Sequence, residues 1–245
     1  MIKKQTVLIT GGITRIGLST AHDLHENGFN IIATYNKSKI EATKLFNDLN
    51  NKRKKSCSIL KIDLSKQNNF TLFSKKVLNI YGRLDVLINN ASKFYPTKIE
   101  KINKNNWLDI IDTNLKAPLF LSQVFFSELK KRKGSIVNLI DIHIDPPLKN
   151  YIIYNISKAG LLALTKSLAK DFAPYVRVNG VSPGAILWAK HDNNKQKRKE
   201  ILSRVPLQKS GEPNDIAKAI KFLILEGKYI TGQNIIVDGG RKLNM

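Results

Sequence analysis

Tyr154 and Lys158 stand four residues apart in Tyr154-Asn155-Ile156-Ser157-Lys158, a spacing that in a helix puts both side chains on one face. A tyrosine hydroxyl ordinarily titrates near 10, and each unit by which a neighbouring ammonium lowers it favours the phenolate by about 1.4 kcal/mol. The pair therefore has the chemistry of a proton donor that can be regenerated near neutral pH. Tyr151 lies on the same predicted face but lacks the i, i+4 relation to Lys158. Asp141, thirteen residues before Tyr154, can accept a substrate N–H or relay a proton; its bland alternative is a loop-capping carboxylate. His143 reads as an incidental loop histidine, and nothing in the chain spaces ligands for a metal.

A second group of residues could hold a phosphorylated ligand. Thr10-Gly11-Gly12-Ile13-Thr14-Arg15-Ile16-Gly17 directly follows the apolar run Thr6-Val7-Leu8-Ile9, where a strand should turn into a helix and present backbone N–H groups and a helix dipole to a pyrophosphate. Sites that prefer NAD place a carboxylate about 20 residues further on to hold the ribose 2′-hydroxyl. Here that region reads Thr34-Tyr35-Asn36-Lys37-Ser38-Lys39. It has no acid, and Lys37 and Ser38 would welcome a 2′-phosphate, so NADPH is the expected cofactor. Asp63-Leu64 and Asn89-Asn90-Ala91 close two further apolar runs, at the carboxyl ends of strands where open α/β sheets bind ligands. Asp63 reads equally well as a helix cap.

These segments, together with Ile230-Thr231-Gly232-Gln233 and Val237-Asp238-Gly239-Gly240, cover nearly the whole chain and strongly resemble the short-chain dehydrogenase/reductase family. The glycine turn fits that family's Thr-Gly-x3-Gly-x-Gly pattern, except that Arg15 stands where the middle glycine usually lies. The resemblance implies that Gly11, Arg15, Ile16 and Gly17 hold the pyrophosphate side of the cofactor, and Tyr35, Asn36, Lys37 and Ser38 the adenosine ribose. It further implies Asp63 and Leu64 against the adenine, Asn90 and Ala91 beside the nicotinamide ribose, Lys158 on the ribose hydroxyls, and Pro183 and Gly184 completing the set. Asn114, in Asp112-Thr113-Asn114, matches the family's helix asparagine, which helps hold a water near the catalytic lysine.

The ordinary family member has serine where this chain has Asp141. Arg15, Asp141 and the run Asn90-Ala91-Ser92-Lys93-Phe94-Tyr95-Pro96-Thr97 instead resemble the pteridine reductases and the bacterial dihydrofolate/dihydromonapterin reductases. That resemblance implies a pterin held between the nicotinamide and Phe94, with Ser92 and Arg15 meeting the pterin edge and the cofactor phosphates. It extends to Leu187 and Trp188 in Ala185-Ile186-Leu187-Trp188, and to Asp238-Gly239-Gly240-Arg241. It breaks at residues 189–194, rich in Lys and Asn, which leaves the substrate's side chain open. The implied catalytic set is Asp141, Tyr154, Lys158 and Asn114, acting on a dihydrofolate, dihydrobiopterin or dihydromonapterin. A ketone reductase of the same fold, acting on a 3-oxoacyl thioester, is the nearest rival.

The elements that must position these groups follow from periodicity. Val- and Ile-rich runs at 6–10, 30–35, 56–62, 84–89, 135–140, 176–181 and 234–237 read as strands buried on both faces. Helical stretches at 15–27, 39–50, 67–81, 105–131, 151–172 and 214–226 alternate with them. That alternation predicts one doubly wound α/β domain of the Rossmann type over 1–245, with a seven-stranded parallel sheet. Residues 185–204 break the rhythm and read as a substrate loop.

The net charge of +22 is the compositional outlier. Its lysines are spread over nearly every predicted element. The dense runs at 52–55, 130–133 and 195–199 fall at helix ends or in loops, so solvated charge is expected rather than a nucleic-acid surface. A nucleic-acid-binding protein on a retained fold remains a rival suggested by charge alone. The apolar stretches are shorter than the ~20 residues that span a bilayer. With Cys57 single and no apolar signal segment at the start, a cytoplasmic enzyme that binds no membrane is expected. A homotetramer is expected too, built on Ala159, Leu161, Leu162, Leu164, Phe120 and Phe125, with Arg241 reaching a neighbouring subunit's site.

Overall fold

A computed structural model describes residues 4–186 and 195–245. Seven strands, β1 (Thr6–Ile9), β2 (Asn30–Tyr35), β3 (Cys57–Lys61), β4 (Val86–Asn89), β5 (Ser135–Leu139), β6 (Arg177–Pro183) and β7 (Asn234–Val237), form one parallel sheet in the order β3-β2-β1-β4-β5-β6-β7. Every residue of β1, β4 and β5 is buried, which is why Val7-Leu8-Ile9, Val86-Leu87-Ile88 and Ile136-Val137 run apolar without alternation, while the buried Asn89 donates to Asn138 across the two strands at 2.8 Å. Successive residues still serve opposite faces. Val7 and Ile9 join Ala21, Leu24, Leu45 and Ile220 in one core, while Leu8 joins Phe73, Val77, Leu121 and Phe125 in the other.

The first core is covered by α1 (Arg15–Glu26), α2 (Lys39–Lys52) and α8 (Pro213–Leu225), the second by α3 (Phe70–Tyr81), α5 (Ala117–Arg132) and α6 (Ile152–Phe172). Strand order reverses between β1 and β4, so the connections leaving their carboxyl ends part to opposite faces and open a crevice there. The site occupies that crevice.

The single helix expected over 105–131 is divided. It comprises α4 (Lys104–Ile111), a π-helical turn (Asp112–Lys116) and α5, with the Ala117 N–H bonded to the Asp112 carbonyl five residues back. Pro118 follows directly on the π turn, and having no N–H it cannot donate back into the preceding turn of this otherwise continuous helix. The second half of the expected substrate loop is likewise helical, α7 (Lys195–Ser203). Two residues expected to offer assembly surface are core: Phe125 is 0% and Leu161 1% exposed. Phe120 stacks on Phe70 with centroids 5.6 Å apart yet keeps an exposed side. Among the described residues no helix is long and apolar enough to cross a membrane.

Candidate active site

The glycine turn is tied to three strand ends. Asn90 Nδ2 donates to the carbonyls of Thr10 (2.9 Å) and Gly11 (3.0 Å), and the N–H groups of Asn90 and Ala91 both donate to Thr10 Oγ1 at 3.0 Å. The Gly11 N–H donates to Thr34 Oγ1 at 3.1 Å. Gly17 lies beneath this net, where a Cβ would fall 2.4 Å from the Gly11 carbonyl oxygen and 2.7 Å from Asn90 Nδ2. The close backbone approach of α1 to the turn therefore requires glycine. Arg15 keeps the left-handed backbone of the glycine it replaces, with φ +52°, at a cost of roughly 1–2 kcal/mol for a residue with a Cβ.

Above the turn lies a cleft of about 770 Å³. Of the sequence-predicted cofactor residues, Gly11, Arg15, Ile16, Tyr35, Asn36, Asp63, Leu64, Asn90, Ala91, Lys158, Pro183 and Gly184 all line it. Lys37 and Ser38 stand just outside its lining; Lys37 is exposed, and Ser38 is the N-cap of α2 with its side chain making no capping bond. Asp63 accepts from the Ser65 hydroxyl (2.7 Å) and N–H (3.1 Å). The Ser65 hydroxyl, against the opposing effect of burial and with help from Asn36 and Lys93, holds that carboxyl below its usual range. Asp63 thus closes a local turn and still faces the cleft.

At the other end of the cleft stand the titrating groups. Lys158 extends from α6 to the end of β5 and donates to the Leu139 carbonyl at 2.7 Å. Burial lowers its pKa to about 8, the Asp141 charge opposing. The Tyr154 hydroxyl donates to Asp141 Oδ2 at 2.5 Å. Burial first, then the charge and hydrogen bond of Asp141, raise the phenol well above its usual value. The expected phenol lowered by Lys158 is therefore corrected: the carboxylate, not the ammonium, is in contact with the hydroxyl, and Lys158 Nζ lies 5.8 Å from the Tyr154 ring centroid.

Asp141 Oδ1 accepts the His143 N–H at 2.8 Å and pairs with His143 Nδ1 at 2.8 Å. Burial opposes ionisation of Asp141, but the His143 bonds and charge, with the Tyr154 hydroxyl, outweigh it and hold the carboxyl below its usual range. His143 is thus a member of the site, contrary to its reading as an incidental loop residue, and it lines the cleft. Asn114, in the π turn, is buried with its side chain spent on the Lys93 N–H (2.7 Å), the Lys93 carbonyl (3.0 Å) and the Ser157 hydroxyl (3.0 Å). It braces the segment that carries Ser92 and Phe94.

Ser92 and Phe94 line the cleft. The half-exposed Phe94 ring stacks on Tyr151 (4.7 Å) and meets Tyr154 edge-on (4.8 Å). Tyr151 thus supports the aromatic wall rather than competing with Tyr154. Arg241, expected to serve a neighbouring subunit, lines its own chain's cleft, as does Ile201 of α7, which sequence reasoning did not single out. Leu187 and Trp188 lie outside the described residues.

A glycine-rich turn at the head of a helix, beside a cleft lined by a buried lysine and a phenol, is the arrangement of a nicotinamide-dependent reductase. Residues 12–242 match the family described as enoyl-(acyl carrier protein) reductase. The chain belongs to that family, within the short-chain dehydrogenase/reductase superfamily, and is an NAD(P)H-dependent oxidoreductase. It is 34% identical over 246 residues to 3-oxoacyl-(acyl-carrier-protein) reductase FabG of Staphylococcus epidermidis, covering 96% of this chain and 98% of that protein. The same enzyme of Staphylococcus aureus is 34% identical over 243 residues, covering 96% and 97%. Pteridine reductase 1 of Leishmania tarentolae is 31% identical over 277 residues, covering 96% of each.

Proposed function

We propose that this enzyme reduces the ring of a dihydropterin or dihydrofolate to its tetrahydro form, using NADPH. The observation that carries this reading is the Tyr154–Asp141 hydrogen bond. A ketone gathers negative charge on oxygen as it is reduced, and an ionised Asp141 within about 4 Å would oppose that charge by roughly 4 kcal/mol at an effective dielectric constant near 20. A pterin edge carries N–H and amino groups instead. By donating them to Asp141 it releases the Tyr154 hydroxyl from that carboxylate and frees its proton for a ring nitrogen. One hydride on a C=N carbon and one proton on nitrogen complete the reduction. Phe94 and Tyr151 offer an aromatic wall for the planar ring.

When bound, NADPH supplies the hydride. The N–H groups at the head of α1 suit its pyrophosphate, Lys158 its nicotinamide ribose, and Lys37 with the uncapped Ser38 hydroxyl its 2′-phosphate. Asn90 and Ala91, Asp63 and Leu64, and Pro183 and Gly184 complete the cradle.

The identities favour a second reading. The 34% relatives reduce 3-oxoacyl thioesters by name, and the matched family is described as an acyl-carrier-protein reductase, so a thioester substrate has the stronger support from likeness and a pterin from the chemistry of Asp141. NADPH oxidation against dihydrofolate, dihydrobiopterin, dihydromonapterin and acetoacetyl thioesters separates them. Turnover of the thioester alone would overturn the pterin reading.

A further inference from the structure

The chain ends in a turn that points a cation back into its own cleft. After β7, Asp238 takes the Gly240 N–H on Oδ1 (2.8 Å) and the Lys242 N–H on Oδ2 (2.7 Å). Gly240 has φ +84°, and a Cβ there would lie 2.9 Å from Pro206. The Leu207 N–H bonds to the Gly239 carbonyl at 3.1 Å. Carboxylate and proline thus fix the direction in which the 3₁₀ turn Arg241–Asn244 leaves, and the Arg241 side chain lines the cleft that also holds Asp141, Tyr154 and Phe94.

The cations of the cleft differ in what they are doing. Lys158 is bonded to the Leu139 carbonyl, and Lys93 pairs with Asp109 at 3.2 Å. Arg241, half-buried, makes no ion pair among the described residues, and its Nε is buried with no hydrogen-bond partner. Burial lowers its pKa, with the Asp141 charge opposing. A half-buried guanidinium with donor capacity unspent is a site for an acceptor that arrives with a ligand, and its planar fork fits a carboxylate or a phosphate.

We propose that Arg241 binds, within its own chain, an anionic substituent of the substrate, so that the enzyme selects pterins bearing a carboxylate or phosphate tail. The proposal rests on the pterin reading above. Its test is a ratio, which cancels any loss that the two substrates share. The ratio of kcat/KM for dihydrofolate, with its glutamate carboxylates, to that for dihydrobiopterin, whose side chain is uncharged, should fall at least tenfold in R241A. It should fall less in R241K, which keeps the charge but not the fork and also serves if R241A does not fold. A dihydroneopterin phosphate ester is the second anionic substrate. Loss confined to dihydrofolate assigns the site to carboxylates, loss confined to the ester to phosphates, and loss of both to negative charge. Ratios unchanged in R241A overturn the proposal. If the unmodified enzyme reduces no pterin, the functional reading falls by itself. Arg241 is then judged by calorimetry with p-aminobenzoylglutamate: binding weakened at least tenfold in R241A upholds the site, and equal binding, or none to the unmodified protein, rejects it.

Discussion

The Tyr154 hydroxyl gives its hydrogen to Asp141 Oδ2 across 2.5 Å, which makes the two groups one titrating unit rather than an acid beside a bystander. Each supports the other's charge: the carboxylate adds to burial in keeping the phenol protonated, and the phenol's bond adds to those of His143 in keeping the carboxyl ionised. A substrate that satisfies Asp141 with its own donors therefore releases an already protonated Tyr154.

Replacing Asp141 should separate ring reduction from cofactor binding. Asp141→Ser should leave NADPH affinity nearly intact, since the glycine turn and the end of β2 lie at the other end of the cleft, and lower pterin turnover about 100-fold, within the usual range for acid–base groups. Asp141→Asn should be damaged similarly, because an amide keeps the size but neither the charge nor the proton relay. Cofactor fluorescence and steady-state turnover measure the two effects. Full pterin turnover in both variants would make Asp141 a structural cap.

Cofactor choice should follow the end of β2. With no carboxylate between Thr34 and Lys39, NADPH should be preferred over NADH at least tenfold, about 1.4 kcal/mol. Lys37→Asp should erase the preference by placing a negative charge where the 2′-phosphate would lie. Because Lys37 is exposed, its own attraction is screened, and the missing acid is the larger part of the effect. Equal kcat/KM for the two cofactors in the unmodified enzyme would remove the argument.

The sheet and the glycine turn were legible because buried parallel strands and a strand-to-helix turn leave local signatures. The π turn was not. Apolar residues continue on both sides, from Ile110 and Leu115 to Leu121, and Pro118 alone signals a disturbed ladder without saying where the extra residue falls. His143 was missed because its role depends on a carboxylate folding back on its own chain, from Asp141 to the His143 N–H and ring. Spacing pairs Tyr154 with Lys158 correctly on one helix, yet only the path of β5 decides that Asp141 reaches the hydroxyl first. That Arg241 lines its own chain's cleft was not legible either, since the direction of a Gly-Gly turn depends on what it packs against, here Pro206.

Assembly is the third expectation. Phe120 on α5 is 38% exposed, and on α6 Ala159 is exposed and Leu162 half-buried three residues on, a short apolar strip left once Phe125 and Leu161 are assigned to the core and Leu164 packs against it. A homotetramer built partly on this strip should be seen by light scattering at micromolar concentration. A stable monomer there would contradict it.

The last prediction concerns the pH dependence that His143 imposes. Asp141 is faced by Tyr154 and Lys158 from α6, by Arg241 from the C-terminal turn, and by His143 two residues along its own loop. The folded pKa of Asp141 is depressed, so the ionised form, with any activity that depends on it, persists as pH falls and is lost only as pH passes through that lowered value. Burial alone would move the carboxyl the other way, and His143 is the largest influence opposing it. His143→Ala should therefore shift the acid limb of kcat/KM to higher pH while sparing the alkaline limb. His143→Gln, which can still donate a hydrogen bond but carries no charge, should fall between the two. If both variants keep the acid limb of the unmodified enzyme, either Asp141 does not govern that limb or His143 does not govern Asp141. Carbon-13 titration of the Asp141 carboxyl then distinguishes the cases, and an unshifted titration in His143→Ala would remove His143 from the acid–base unit.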